Sequence, residues 1–489
     1  MLFNSHIFML LFLPLLLAGW YFLNWKKKFQ LAQGYLIGMS LWFYAYANLQ
    51  YLWLLLFSCL IGWLLSCLPE KISSEKGKKV LTGVGCVFHL GLLGYFKYSN
   101  FFLENLNTVF HTDFPMLQIL LPVGISFYTF QQLAYLIDRC RGDAPRDSFF
   151  DYLTFMVYFP QLLQGPILLR SEFMGQLKEP ERRRFHAERF SEGIQFFVFG
   201  LAKKVLLADT LAKAVNYGYS NVSMLDSISA LLLAVGYLTE LYFDFSGYCD
   251  MAVGLGKMIG LEVAENFDAP FHSASVKEFW RRWHMTLGRF FTRYVYIPLG
   301  GNRRGKMRTL CNVMIVMLLS GLWHGAAWTF VLWGFLHGVG MIWDNLGHPH
   351  LPKKWMRQAA TFAYVCMTFV FFRAESIAQG IDVLKSIVSL KWNGFVFQMA
   401  SALDLTEFYM ITKALSMKLP GLLSWFWLGI FVVLIAICFR VLSGEKVSGV
   451  VALQRQKGYG RLYPVLLAVL FTWSMISMTG VSEYLYFSF

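Results

Sequence analysis

Of the 489 residues in the chain, 57% are apolar and only 15% charged, and the mean hydropathy is +0.49. Soluble domains carry about 45–50% apolar and about 25% charged residues, so the composition excludes both a string of water-soluble globules and a disordered chain, and it reads as a polytopic membrane protein. The excess of 43 Lys and Arg over 29 Asp and Glu, a formal +14, fits cytoplasmic loops facing an anionic leaflet better than a nucleic-acid partner.

The first apolar stretch, 7–25, has no charged region before it and ends at Lys26, Lys27 and Lys28. With no small-residue cleavage site after it, it reads as a retained first helix whose C-terminal end is cytoplasmic. Further runs approaching the roughly 20 residues a crossing requires occur near 31–48, 50–68, 80–99, 118–138, 226–243, 326–345, 356–373, 422–440 and 462–479. Shorter or interrupted candidates lie near 149–169, 192–208, 245–261 and 309–323. The expected fold class is all-α, with about 11–13 transmembrane or re-entrant helices. A single membrane-embedded domain is expected over 1–489, with N-terminal helices in 1–115, a core in 116–375 that is expected to hold the site and C-terminal helices with an aromatic tail in 376–489.

Charge placement sets the orientation. With the N-terminus outside, the loop carrying Lys71, Lys76, Lys78 and Lys79 and the one carrying Arg139, Arg141 and Arg146 both fall on the cytoplasmic side. The region 262–308 holds nine basic residues against four acidic ones and belongs there too. Simple alternation does not reach that result, so one or more of 149–169, 192–208 and 245–261 is expected to enter and leave on the same side, a path tolerated only where the backbone is buried in protein or lines a watery cavity. Arg440, Lys446, Arg455, Lys457 and Arg461 mark another inner loop, which sends the last span outward and leaves both termini outside. The less apolar stretch 380–420 suits amphipathic helices lying on the membrane surface.

No G-x-S-x-G elbow, H-E-x-x-H zinc motif or phosphate-binding loop occurs, and the eight cysteines show no C-x-x-C spacing. What remains is a small set of polar residues in apolar surroundings. His324, in Gly321-Leu322-Trp323-His324-Gly325, lies 16 residues beyond Arg308, about 24 Å along a helix. An ionisable group at that depth is functional by default. A neutral imidazole there suits a general base, and Gly321 and Gly325 would let a backbone or a substrate approach closely.

His284 closes Phe279-Trp280-Arg281-Arg282-Trp283-His284, which reads either as phosphate-binding arginines seated by tryptophans or as a plain cytoplasmic anchor. His337 lies 13 residues past His324; on one continuous helix the two could not reach the same atom, and His337 is read as structural. Asp244 and Asp250, flanking Ser246, are expected to pair with arginines of 277–293. The Pro/Gly turn from Tyr296 to Arg304 is either a loop or a seat for an anionic donor.

At these residues the sequence resembles the membrane-bound O-acyltransferase (MBOAT) family, most closely its bacterial branch typified by the alginate O-acetylation membrane protein. The resemblance covers most of the chain. It runs through residues 121–130, Phe159-Pro160-Gln161 with Gly165-Pro166, 241–250, 279–284, 296–302, Trp323-His324-Gly325 and Phe372-Arg373-Ala374. It implies an MBOAT fold with cytoplasmic and extracellular funnels meeting near His324, with His324 the catalytic histidine and His284 a second active-site histidine. Trp323, Gly325, Asp244 and Ser246 would shape the site. Where relatives often read Arg-Asp-Tyr, this chain has Thr292-Arg293-Tyr294, so a role for that pair does not carry over. The terminal Tyr484-Leu485-Tyr486-Phe487-Ser488-Phe489 looks like the branch's aromatic tail, in which Tyr486 would relay the acyl group outward or serve as an interfacial anchor.

The expected activity is acyl transfer, most simply acetyl, across the membrane of a bacterial cell to a hydroxyl of a surface or secreted polysaccharide. The donor would be acetyl-CoA or the phosphopantetheine thioester of an acyl carrier protein, held by Lys277, Arg281, Arg282, Arg303 and Arg304. No metal is called for, and a secreted or anchored SGNH-type acyltransferase is the expected partner. D-alanyl transfer to teichoic acids and a non-enzymatic lipid or polysaccharide transporter are the alternatives.

Overall fold

Apolar runs punctuated by glycine, proline and lysine fold here as helices, and among the described residues every regular element is helical. The computed structural model describes residues 1–47, 49–347, 351–442, 446–458, 460, 462–478 and 485. Among these, six helices are long and apolar enough to cross a membrane: Phe8–Trp25, Leu49–Glu70, Glu75–Phe110, Ser227–Ile259, Lys306–His324 and Pro420–Leu442. Other expected spans are helices too, such as Phe29–Ala47, Trp328–Leu346, Lys354–Arg373 and the 16-residue Leu462–Ser477.

Three expectations need correction. Residues 226–243 and 245–261 are not separate segments, because Ser227–Ile259 is one helix of 33 residues with Asp244 in its middle. The candidate 192–208 belongs to a longer run, Ala187–Ala202 passing through a π-helical turn at Lys203–Ala208 into Asp209–Ser220. The 118–138 run becomes helical only at Ile125. Its start is fixed by Gly124, whose φ of 78° and a would-be Cβ 2.6 Å from the Leu162 carbonyl oxygen admit only glycine. The 149–169 segment is the irregular one: Phe149–Val157 breaks at Tyr158, resumes for one turn at Phe159–Leu162, and continues without helix through Gly165-Pro166 to the next helix at Arg170. Residues 154–168 are buried, the setting that irregular backbone in a membrane protein requires.

The chain divides into two compact units, neither continuous in sequence. The first comprises Met1–Val198, Tyr248–Asn266 and Thr286–Pro298, and the second Phe199–Gly247, Phe267–Met285 and the chain from Leu299 onward. In the first unit, Phe3, Phe8, Phe12, Phe43 and Phe159 form an aromatic core. Three cationic anchors join distant stretches: Arg170 to Asp147, Arg289 to Glu172, and Arg293 to Asp138 and Asp143 at 3.0 Å each. Tyr294 also donates to Asp138 at 2.9 Å, so the Arg293-Tyr294 dipeptide fastens the π-helical turn Thr292–Tyr296 to the helix Ile125–Arg141.

The second unit contains a tight helical hairpin, Lys306–His324 against Trp328–Leu346. Glycines set its closeness: a Cβ on Gly321 would lie 2.3 Å from the Phe330 carbonyl oxygen, and one on Gly334 2.4 Å from that of Met317. Small residues that let two backbones touch are the usual device for joining helices in lipid.

Candidate active site

His284, His324, His337 and the Lys204–Asp244 cluster lie within the second unit. His324 is the last residue of the Lys306–His324 helix; Gly325 follows in extended conformation (φ −159°, ψ 151°) and ends it. Its ring is 3% exposed and packed among Trp323, Trp333 and Phe372, with centroids 4.9, 5.1 and 5.2 Å away. The glycines beside it serve packing. Gly321 faces the Phe330 backbone and Gly325 the Phe330 ring, which a methyl group on Gly325 would meet at 2.1 Å, so the close approach expected of them is made by protein.

His284 sits at the junction of two short helices, Val276–Arg282 and Met285–Phe291, with φ of 45°. A left-handed backbone is rare and strained for a residue other than glycine, and such strain collects at functional sites. The turn buries the imidazole completely, 4.7 Å from the Phe245 ring and 6.4 Å from that of His324, with Trp323 against both histidines. Two imidazoles 40 residues apart in sequence thus share one aromatic chamber. Nothing in the local sequence signals the φ of His284.

His337 is not on the His324 helix. It lies on the return helix, where Trp280 Nε1 donates to its Nδ1 at 3.2 Å and Thr368 Oγ1 lies 2.9 Å from its Nε2. Both nitrogens are engaged, which supports the structural role.

Asp244 is paired differently from expectation. Its Oδ1 takes the Lys204 ammonium at 2.5 Å, and its Oδ2 accepts the backbone N–H of Leu485 at 3.0 Å. Three of the four arginines of 277–293 are bound elsewhere, Arg282 to Glu278 and Arg289 and Arg293 in the first unit's anchors, and the fourth, Arg281, is exposed. Lys204 also reaches Asp209 at 2.8 Å. It lies on the π-helical turn, close to where Gly247 lets the long helix approach, a Cβ there falling 2.7 Å from the Gly200 carbonyl oxygen. Ser246 is buried, and its hydroxyl has no hydrogen-bond partner among the described residues.

This cluster borders a cavity of about 590 Å³, lined by Lys204, Glu240, Asp244, Phe330, Phe372 and Arg373 among others. Phe372 lines that space and packs against both the His324 imidazole and the Phe330 ring. Lys204 and Glu240 escape a reading of the sequence; the only local signal is an ionisable residue inside an apolar run. Of the basic residues expected to hold a donor, Arg281, Arg303 and Arg304 are exposed, whereas Lys277 is held by Asn345 at 2.8 Å and Arg282 by Glu278 at 2.9 Å. The turn before Arg303 depends on Gly300 and Gly301, with φ of 105° and 54°. Among the described residues no group of His, Cys, Asp and Glu is arranged to hold a metal ion. Tyr486 lies outside the described residues.

Residues 142–379 match the membrane-bound O-acyltransferase (MBOAT) family. The chain is 35% identical over 423 residues to the peptidoglycan O-acetyltransferase of Helicobacter pylori, covering 80% of each. It is 39% identical over 389 residues to the probable alginate O-acetylase AlgI of Pseudomonas putida, 77% of this chain and 78% of that one. A teichoic acid D-alanyltransferase of Streptococcus thermophilus is 28% identical over 253 residues, 49% of this chain and 58% of that protein.

Proposed function

Because the chain belongs to the membrane-bound O-acyltransferase family, and is therefore a multi-pass membrane acyltransferase, we propose that it moves an acetyl group from a cytoplasmic thioester to a hydroxyl of a cell-surface polysaccharide. The observation that carries this reading is the chamber holding His324 and His284 with ring centroids 6.4 Å apart, one phenylalanine from a cavity of about 590 Å³. The names of the relatives at 35–39% identity favour acetyl as the group and a glycan as the acceptor.

In the reaction, an imidazole nitrogen of His324 takes the proton of the accepting hydroxyl, and the oxygen attacks the thioester carbonyl carbon. The tetrahedral oxyanion is steadied by a donor from His284 or a backbone N–H. Its collapse breaks the carbon–sulfur bond, and the thiolate leaves with the proton that His324 had taken. The net result is an ester and a free thiol. Placement at a helix C-terminus, where the backbone dipole presents negative charge, favours the imidazolium while it exists.

The donor is acetyl-CoA or the phosphopantetheine thioester of an acyl carrier protein, its phosphates held by the exposed Arg281, Arg303 and Arg304 together with Lys277 and Arg282. Tyr486 receives the acyl group on the outer side and hands it to an SGNH-type partner, with both chain termini outside. D-alanyl transfer is the second reading, favoured by the 28% identity to a teichoic acid D-alanyltransferase. Mass spectrometry of surface glycans from cells with and without the gene separates acetyl from alanyl adducts. His324→Ala should abolish transfer from thioester to acceptor while the protein still elutes as a monodisperse species. Retained transfer would sink the assignment.

A further inference from the structure

We propose that Lys204 and Asp244 form a latch that grips the main chain of this protein at Leu485, holding that residue in the cavity whose Phe372 wall stands against His324. The latch is read from geometry alone; its consequence for acyl transfer rests on the function proposed above.

Asp244 is 1% exposed and lies in the middle of an apolar helix. Taking a carboxylate and an ammonium out of water is expensive, and an apolar pair of similar volume often serves stability as well. The pair does something an apolar pair could not. With Oδ1 against Lys204 Nζ, the other oxygen, Oδ2, receives the N–H of a residue 241 positions further along the chain. Leu485 lines the same cavity as Lys204, Asp244, Phe330 and Phe372, so the grip holds Leu485 at that space.

Lys204 acts through Asp244 rather than on Leu485 itself. Its ammonium lies between Asp209 at 2.8 Å and Asp244 at 2.5 Å, which supplies the counter-charge for the Asp244 carboxylate and leaves its second oxygen for the Leu485 N–H. A hydrogen bond to an ionised acceptor is roughly twice as strong as a neutral one. Because it reads the backbone, it tolerates any side chain at 485 and fails only where the N–H is missing. The bland alternative, an ion pair that merely ties the π-helical turn to the long helix, does not need residue 485.

The experiment uses the full-length protein in detergent, with the photoreactive p-benzoylphenylalanine in place of Ala212, a cavity-lining residue outside the catalytic chamber. Irradiation followed by peptide mass spectrometry reports whether the peptide containing residue 485 lies in the cavity. Cross-linking is expected in the parent and in Leu485→Ala, which keeps the N–H. It should fall on the order of tenfold or more in Leu485→Pro, which removes the N–H and leaves Lys204 and Asp244 untouched. The charge-neutral double variant Lys204→Met with Asp244→Leu should lose it equally, and monodisperse elution checks its fold. Undiminished cross-linking in Leu485→Pro would overturn the latch whatever the enzyme does. Acyl transfer that survives His324→Ala would overturn the catalytic reading whatever the cross-link does, so the two failures are distinguishable. With both ideas correct, Leu485→Pro loses transfer to the acceptor and keeps thioester hydrolysis.

Discussion

Replacing Gly321 by alanine adds one methyl group, 2.3 Å from the carbonyl oxygen of Phe330. Ordinary contact begins near 3.4 Å, so the two helices of the hairpin must separate by about 1 Å, and the obstacle is backbone rather than a side chain able to turn away. Overpacking of this kind costs about 1–3 kcal/mol. The displacement falls one turn before His324, and a misplacement of about 1 Å lowers rates on the order of a hundredfold. Gly325→Ala provides the contrast, since its methyl would meet the Phe330 ring at 2.1 Å. Truncating Phe330 to alanine should therefore rescue Gly325→Ala and leave Gly321→Ala impaired. The assay is thioester-to-acceptor transfer by purified protein, with thermal unfolding in detergent beside it. Wild-type activity and stability in Gly321→Ala, or its rescue by Phe330→Ala, would refute the packing argument.

The loop before the long helix supplies a pH-dependent prediction. Burial acts to raise the Asp226 carboxyl, but hydrogen bonds from Ser229, Asn393 and Gly394 outweigh it and hold the group below its ordinary value. A depressed carboxyl stabilises the fold above its unfolded value, about 3.9, and that contribution is lost as pH falls through the folded value. Asp226→Asn should lower stability by about 2 kcal/mol near neutral pH, and the gap from wild type should narrow below about pH 4; a constant gap in thermal midpoint from pH 6 to pH 3 would contradict this. For the tail, Tyr486→Phe should stop acyl delivery to the outer acceptor and leave thioester hydrolysis in place, and unchanged delivery would remove the relay.

Much of the helical architecture is legible in the sequence because its signals are local. Lysines end the first helix, Gly142 ends the Ile125–Arg141 helix, and the apolar run before His324 is one span. Asp244 misleads for the same reason: an acidic residue inside an apolar run looks like a boundary, and only Lys204, 40 residues earlier, shows that the helix continues through it. Spacing along a chain assigns faces of a helix but not partners, so the arginines nearest in sequence look like the natural counter-charges of Asp244. Separate apolar runs near 309–323 and 326–345 already place His324 and His337 apart, and the extended backbone at Gly325 marks the break between their helices. His284 stands out by its aromatic and basic neighbours, but its left-handed backbone is imposed by tertiary packing and leaves no mark in composition.

The interrupted make-up of the first unit has a consequence for how the protein is made. At residue 198 the unit still lacks Tyr248–Asn266 and Thr286–Pro298. Asp138 receives Arg293 only 155 residues later, and Glu172 waits similarly for Arg289. At synthesis rates of about 5–20 residues per second, the delay for Asp138 is roughly 8–30 s. During that time the nascent chain carries acidic groups whose permanent counter-charges have not left the ribosome. A stop codon anywhere before residue 293 would strand Asp138 for good, so the quality-control fate of truncated chains should change at that position.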